Sequence, residues 1–380
     1  MTPQLPTPGG QSDSPAVRIS GPSGLVAAVP YLVGFVPADS IVLVLLTPPP
    51  RTVALSLRLD RDLGAVDADR ESAIELLGEA LGRAMGFGTD LDQAHVVVFG
   101  EDASSLPDAA LVAGLSAMLA RRGLAVGEVI STDRDRRWCY SPQHDGPCPD
   151  LGHRLERSEM LAAQAGLVGA GVGYLGSRTE LEDSIRPDRR RRIRRDALNR
   201  AKAEQCARER SGDGSGWRRC HENAMWAAFG EDVDLDALQA RGAGWAVSLA
   251  DSRVREPLLY RILVDLSPGR RQQLLAGARA WLCGLTRIVS GSDCGPVAAT
   301  LAAVAWQQGD GAFARIAALR ALEAQSDNTL GELILAACSS GMPPREWIRV
   351  LENFGLHELR SPGGAEPASS EPSSPWSASA

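Results

Sequence analysis

The feature that most restricts the fold is a change of hydrophobic period along the chain. From Ala16 to about Gly176, apolar residues recur by turns at every second position and at every third to fourth; beyond about Glu180 the two-residue period vanishes. Strands need the first period and amphipathic helices the second, so any sheet must come from the front half. Ile41 to Leu46 is a continuous apolar run, as in a strand covered on both faces, and Thr47-Pro48-Pro49-Pro50 stops it. Thr52 to Asp60 then alternates, with Val53, Leu55, Leu57 and Leu59 on one face and Ser56 and Arg58 on the other. Only the Pro-rich turn separates the two runs, which predicts an antiparallel hairpin. Ile74, Leu77, Leu81 and Ala84 mark one face of a helix. His95 to Phe99 reads as a buried strand, and Leu111, Leu115, Met118 and Leu119 mark a helix that Pro107 can start. Leu124 to Ile130 supplies a further strand, and Met160 to Val168 a helix. That succession implies two right-handed crossovers and an α/β fold with a mixed, partly parallel sheet.

The back half is Ala-, Leu- and Arg-rich and predicts helices only, broken at 211–216, 267–269 and 291–296. Its clearest unit is a helix over 297–306, a Gly309-Asp310-Gly311 turn, a helix over 312–324 and a third from Asn328 or Thr329. There Thr329 and Glu332 have capping-box spacing. No repeat at a fixed period supports a true solenoid. At 380 residues the chain fits two domains: an α/β domain over 15–176 and an all-α helical domain over 177–360. Residues 1–14 and 361–380 are rich in Pro, Ser, Gly and Ala, have hardly an apolar anchor, and are expected to be disordered.

Composition removes several function classes. A net charge of −7 gives no global attraction to nucleic acid or to an anionic membrane, so such contact has to be local. No apolar run is long enough to cross a bilayer, and Met1 to Ser14 lacks the basic and apolar regions of a secretory signal; a cytoplasmic location is expected. Seven scattered cysteines do not form a disulfide framework. Lys202 is the sole lysine and no glycine run precedes it, which excludes a Walker-type phosphate loop.

Six strings in order carry a family resemblance: Tyr31-Leu-Val-Gly-Phe-Val-Pro-Ala-Asp-Ser-Ile-Val-Leu-Val, Arg137-Trp-Cys-Tyr, Cys148-Pro149, Ser177-Arg178-Thr-Glu-Leu, Asp251-Ser-Arg-Val-Arg255 and Ala305-Trp-Gln-Gln-Gly-Asp-Gly-Ala312. Together they resemble the DUF4192 family of actinobacterial proteins, over nearly the whole expected ordered region. The resemblance implies no activity. One departure is that the family has further cysteines where this chain has Pro142 and Pro147.

Four places carry candidate chemistry. Cys139, His144, Cys148 and His153 could supply the four N and S donors of a tetrahedral zinc ion, although the spacing lacks a tight Cys-x2-4-Cys knuckle. Zinc is the one cofactor the sequence suggests. Arg189, Arg190, Arg191, Arg192, Arg194 and Arg195 concentrate positive charge that could grip a polyanion. Acid-before-base pairs at i, i+4 (Glu182 to Arg186, Asp188 to Arg192, Asp196 to Arg200, Glu204 to Arg208) instead read as a solvated helix face. Gly171-Val-Gly173-Tyr-Leu-Gly176 spells a dinucleotide fingerprint but follows a helical stretch, so it reads as a helix end and turn. Asp251, Arg253, Arg255 and Glu256 predict either an ion-pair network between helices or one wall of an interdomain pocket shared with Trp138, Tyr140, Ser177 and Arg178. Asp39-Ser40 reads as a turn and His95 as a core histidine.

No nucleophile with its base, no carboxylate pair on one element and no phosphate loop stands out. The sequence therefore favours a non-catalytic binding or regulatory protein, with a protein partner on the helical half conceivable. The alternatives are a small-molecule enzyme, with Arg178 and Arg255 as anion clamps and Asp251 as acid or base, and a polyanion-binding module on the arginine run.

Overall fold

The computed structural model describes residues 4–5, 17–61, 67–140, 148–170 and 172–353. Most of 1–14, all of 361–380 and His144 lie outside them. Two short strands, β1 (Gln4–Leu5) and β2 (Val17–Arg18), pair antiparallel. The main sheet contains β3 (Ser40–Leu46), β4 (Val53–Asp60), β5 (Gln93–Phe99), β6 (Ala125–Thr132), β7 (Arg136–Cys139) and β8 (His153–Arg154), in the order β4-β3-β5-β6-β7-β8. β5 and β6 are parallel and every other neighbouring pair is antiparallel, so the expected hairpin and the mixed sheet are both present. Because β4 and β5 both run against β3, they are parallel to each other across it. The C-terminal ends of β4, β5 and β6 therefore reach the same edge of the sheet.

Side chains alternate across a strand, and here both faces are dry. Ile41, Leu43, Leu45, Val96 and Val98 pack against Leu77 and Leu81 of α2 (Asp67–Gly86) and Leu111, Leu115 and Leu119 of α3 (Ala109–Arg121). Val42, Val44, Leu46, Val97 and Phe99 point the other way, into a second core shared with α1 (Gly21–Val33) and the helical half. Burial on both sides explains why β3 shows no alternation: all seven of its residues are buried. The sequence misplaces one residue of β4. Leu45 pairs with Leu55 but Leu46 with Val53, so Ala54 is an extra residue in a bulge. Val53 therefore joins the second core, while Leu55, Leu57 and Leu59 pack on the first.

After β8 the described residues contain helices and no further strand. These are α4 (Arg157–Gly169), α5 (Arg178–Asp183), α6 (Arg195–Arg210), α7 (Gly214–Ala228), α8 (Leu235–Ala250), α9 (Ser252–Leu263), α10 (Pro268–Ile288), α11 (Cys294–Gln307), α12 (Gly311–Ala324), α13 (Thr329–Ser339) and α14 (Pro344–Asn353). α11 is buried at every position, and its alanines let α10, α12 and α13 approach closely. The start of α13 corrects the expected cap: Asn328, not Thr329, is the N-cap, its Oδ1 accepting the Gly331 amide at 2.9 Å.

The two halves are joined by more than the chain. The second core runs without a break from Val42 and Phe99 through α1 into α11 and α12. Phe35 and Leu175 form a parallel bridge, and Arg345 Nη2 donates to Gly88 O at 3.0 Å. Gly34 ends α1 at φ 82°, a left-handed angle that favours glycine, and a Cβ there would stand 3.6 Å from Asp310 Oδ1.

Candidate functional site

The parallel ends of the sheet form a concave site. In open sheets with parallel strands, such crevices lie beyond the carboxyl ends of the strands. Here β4 ends at Asp60-Arg61 and β5 runs out into Glu101-Asp102, while Ala38-Asp39 leads into β3 and Asp108 stands directly before α3. Ala38, Asp39, Asp60, Arg61, Glu101, Asp102 and Asp108 line an opening of about 670 Å³.

Arg61 organises the site. Its Nε donates to Asp108 Oδ2 at 2.6 Å; Nη1 and Nη2 grip the two oxygens of Asp102 at 2.8 and 2.9 Å, and Nη1 also reaches Asp39 Oδ1 at 3.3 Å. This forked pairing, led by Asp102, raises the Arg61 pKa, and the same bond holds the Asp102 carboxyl below its usual range. Three non-glycine residues near the rim adopt left-handed backbone: Asp39 (φ 41°), Leu106 (φ 50°) and Asp108 (φ 58°). Each such angle costs about 1 kcal/mol, and for the two aspartates the bond to Arg61 offsets part of it. Beside them, Arg58 donates from Nε to Ser40 Oγ at 2.9 Å and from Nη2 to Asp60 at 2.5 Å, while its guanidinium lies over the Phe35 ring.

The expected interdomain pocket divides in two. Tyr140 and Arg178 border the sheet-end site. The Tyr140 hydroxyl donates to Pro107 O, and burial, followed by the charge of Asp108, raises its pKa. Arg178 Nε bonds Glu182 Oε1 at 3.0 Å and its Nη1 lies 3.7 Å from Asp60 Oδ2. Ser177 caps α5, accepting the Glu180 amide at 3.1 Å. Trp138 is buried under the 149–152 turn, its Nε1 donating to Asp150 O at 3.2 Å.

Asp251, Arg253 and Arg255 sit elsewhere. Asp251 ends α8 and caps α9, so the helix-like segment read from the sequence is a junction of two helices. Its carboxylate bonds Arg253 Nε at 2.9 Å and lies 3.6 Å from Arg218 Nη1; Glu209 closes the network by pairing with both arginines. Arg255 donates to Leu249 O at 3.1 Å and pairs with Glu256 at 3.6 Å, and burial lowers its pKa. Among the described residues these groups share no ion-pair partner with Arg178.

Of the zinc candidates, Cys139 and Cys148 come together: burial first and then the Cys148 thiol raise the Cys139 pKa. His153 stands exposed on β8 opposite Arg137. Among the described residues, no three His, Cys, Asp or Glu side chains converge as metal ligands. The glycine string follows α4 rather than a strand, with the Val172 amide bonded to Leu167 O at 3.0 Å.

The arginine run corrects the sequence reading in the opposite sense. It is not a helix face: α5 stops at Asp183 and α6 starts at Arg195, so Asp188 and Arg192 do not face each other one turn apart. Pro187 lacks an amide, and the Asp188 carboxylate accepts the Arg190 amide at 2.9 Å, so the backbone turns instead.

Reading the sequence missed Arg61, Asp102 and Asp108. The available signal was charge placed directly after successive strands, at Asp60-Arg61 and Glu101-Asp102.

Fold and site together define a layered domain with a carboxylate-lined crevice at a sheet end, fused to a helical array, and no described helix is long and apolar enough to cross a membrane. The chain belongs to the DUF4192 family, whose model, described as a domain of unknown function, matches residues 22–345. No curated protein and no solved structure matches it.

Proposed function

We propose that the protein is a non-catalytic binding protein whose sheet-end crevice receives a cationic group, a guanidinium or a primary ammonium. The observation that carries this reading is the engagement of Arg61. Four of its five N–H donors are turned to Asp39, Asp102 and Asp108, so the one cation lining the crevice among the described residues has little left to offer an anion. Asp39 keeps 78% of its side chain exposed, and Glu101 makes no ion pair among the described residues. The described lining is therefore dominated by acceptors. Among the described residues no Ser, Cys, His or Lys lines it.

Calorimetric titration with agmatine and spermidine tests the reading, with inorganic phosphate and citrate as anionic counterparts. Binding of the cations, weakened tenfold or more in Asp39→Asn/Glu101→Gln, is expected. Binding of phosphate or citrate with no response to the cations would overturn it.

A further inference from the structure

We propose that the loop between α5 and α6 is a docking site for the phosphodiester backbone of nucleic acid, a surface separate from the sheet-end crevice and independent of what that crevice binds. The loop is built as a fixed platform. At one end the Asp188 amide donates to Arg287 O at 2.7 Å, and at the other the Ile193 amide donates to Ile288 O at 2.8 Å, which ties both ends to the last turn of α10. Ile193 is 4% exposed and plugs the core against Gly242, where a Cβ would stand 2.7 Å from its Cδ1. At the first anchor the exposed Asp188 carboxylate accepts the Arg190 amide at 2.9 Å; bonds from the Arg190 and Arg191 amides, followed by the charges of Arg287 and Arg191, lower its pKa, so this one carboxylate offsets only part of the positive charge around it.

What projects from this platform is nearly all positive. Arg189, Arg190, Arg191, Arg192, Arg194 and Arg195 are exposed, and Arg287 beside them is exposed as well. Arg189, Arg190, Arg191 and Arg195 form no ion pair with a described carboxylate. Among the described residues Arg192 bonds the neutral Ser290 Oγ, at 2.6 Å, and Arg194 pairs with Asp196 at 2.7 Å, in a solvent-exposed pair of little strength. Arginine's planar fork suits phosphate oxygens, and a loop already ordered loses little entropy on binding. The segment offers no exposed aromatic to stack on bases, so binding should ignore sequence. It offers no exposed large apolar side chain to enter a lipid interface, which disfavours a membrane. The net charge of −7 on the whole chain confines the attraction to this patch.

Fluorescence anisotropy with a labelled 20-base-pair DNA duplex and a labelled single-stranded RNA, from 25 to 200 mM salt, tests the proposal on the full chain. With about four free guanidinium groups engaged, log K should fall against log salt with a slope of roughly −3 to −4, a loss of about 100-fold between 50 and 200 mM. Each single change among R189A, R190A, R191A and R195A should reduce the slope by about 1, and the quadruple variant should abolish binding at 100 mM salt. R121A, on the outer face of α3, should bind as the unaltered protein does. These arginines are exposed and bear no core contact, so circular dichroism of the variants should be unchanged. The proposal is overturned by absence of binding to both nucleic acids at 25 mM salt, by binding that the quadruple variant retains, or by retention on anionic vesicles or poly-glutamate when neither nucleic acid binds.

Discussion

Acid should weaken this fold through one side chain, His95, ahead of most of its carboxylates. His95 lies on β5 where the pairing with β6 shifts between Ala94 and Val96. The irregularity takes the Glu128 amide out of the ladder, and His95 Nδ1 accepts it at 2.8 Å. Gly127 makes room for the ring, since a Cβ there would stand 2.6 Å from its Nδ1 and Cε1. Burial, followed by the charge of Arg51, lowers the His95 pKa from 6.5 to about 4. A proton on Nδ1 would also set donor against donor. Above pH 6.5 the ring is neutral in the folded and the unfolded chain alike, and stability is unaffected. Below it the unfolded chain binds the proton first, so stability falls with pH and the loss is complete once the folded ring titrates near 4. At about 1.4 kcal/mol per pH unit over that interval, the loss totals roughly 3 kcal/mol and reaches about 2.5 kcal/mol by pH 4.5. Urea unfolding followed by tryptophan fluorescence, on the unaltered protein and on His95→Asn, isolates this contribution. Asn Oδ1 can accept the same amide and does not titrate. The difference in unfolding free energy between the two should be constant above pH 7 and change by about 2.5 kcal/mol at pH 4.5, to the disadvantage of the unaltered protein. A difference that stays constant over the whole range would refute the reasoning. His95→Leu should cost about 1–3 kcal/mol even at pH 7.5, because the Glu128 amide then has no acceptor.

Other perturbations follow from the same contacts. Asp251→Ala removes the cap of α9 and leaves the half-buried Arg218 and Arg253 with Glu209 alone, so urea unfolding should register a loss of about 2–3 kcal/mol, and a loss below 0.5 kcal/mol would contradict the network. Arg61→Met should return the Asp102 carboxyl to its ordinary range, visible by NMR titration, and cost about 1 kcal/mol given how exposed Asp102 is. Thiol titration in native buffer should modify the exposed Cys206 and Cys220 first. Cys283 and Cys338, whose pKa burial raises to about 11 and about 12, and the buried Cys294 should react only after denaturation. Rapid reaction of these three in the native protein would show that the helical half opens readily.

The sheet was legible because β3 and β5 carry short continuous apolar runs and β4 a two-residue alternation, and α2, α3 and α11 to α13 were legible from their apolar faces. The rest was hidden for physical reasons. α1 is buried on nearly every side and contains Pro30, so it shows no polar face and breaks a helix rule. Ala54 enters a bulge through pairing with another strand, which local pattern cannot register. The arginine run repeats charges at helical spacing, yet the buried Ile193 and two long-range bonds to α10 decide its backbone. The crevice draws Asp39, Arg61, Asp102 and Asp108 from separate loops, so only knowledge that β4 and β5 end at one edge could have joined them. The Asp251–Arg253 and Arg255–Glu256 pairs agree with the ion-pair reading of that segment, whereas Glu209 and Arg218, which join the first pair, come from other helices and carry no local signal.

Where the six family-like strings fall in space narrows what the resemblance means. The first string holds Gly34 at the end of α1 and Asp39 at the crevice; Arg178, from the fourth, reaches Asp60 beside it. Tyr140, from the second, anchors to Pro107 just before Asp108. Asp310, from the last, caps α12 through the Phe313 amide at 3.0 Å and pairs with Arg279 at 2.7 Å, and it sits against Gly34. A larger residue at 34 would have to take a left-handed angle, which favours glycine there whatever the space beside Asp310. Four of the strings thus fall at the rim of the crevice or at the seam between the sheet and the helical array, whereas the Asp251 string lies at the junction of α8 and α9. The arginine loop belongs to none of them, which makes the two surfaces separable by mutation: altering Arg189 to Arg195 should leave cation binding at Asp39 and Glu101 unchanged, and the converse should also hold.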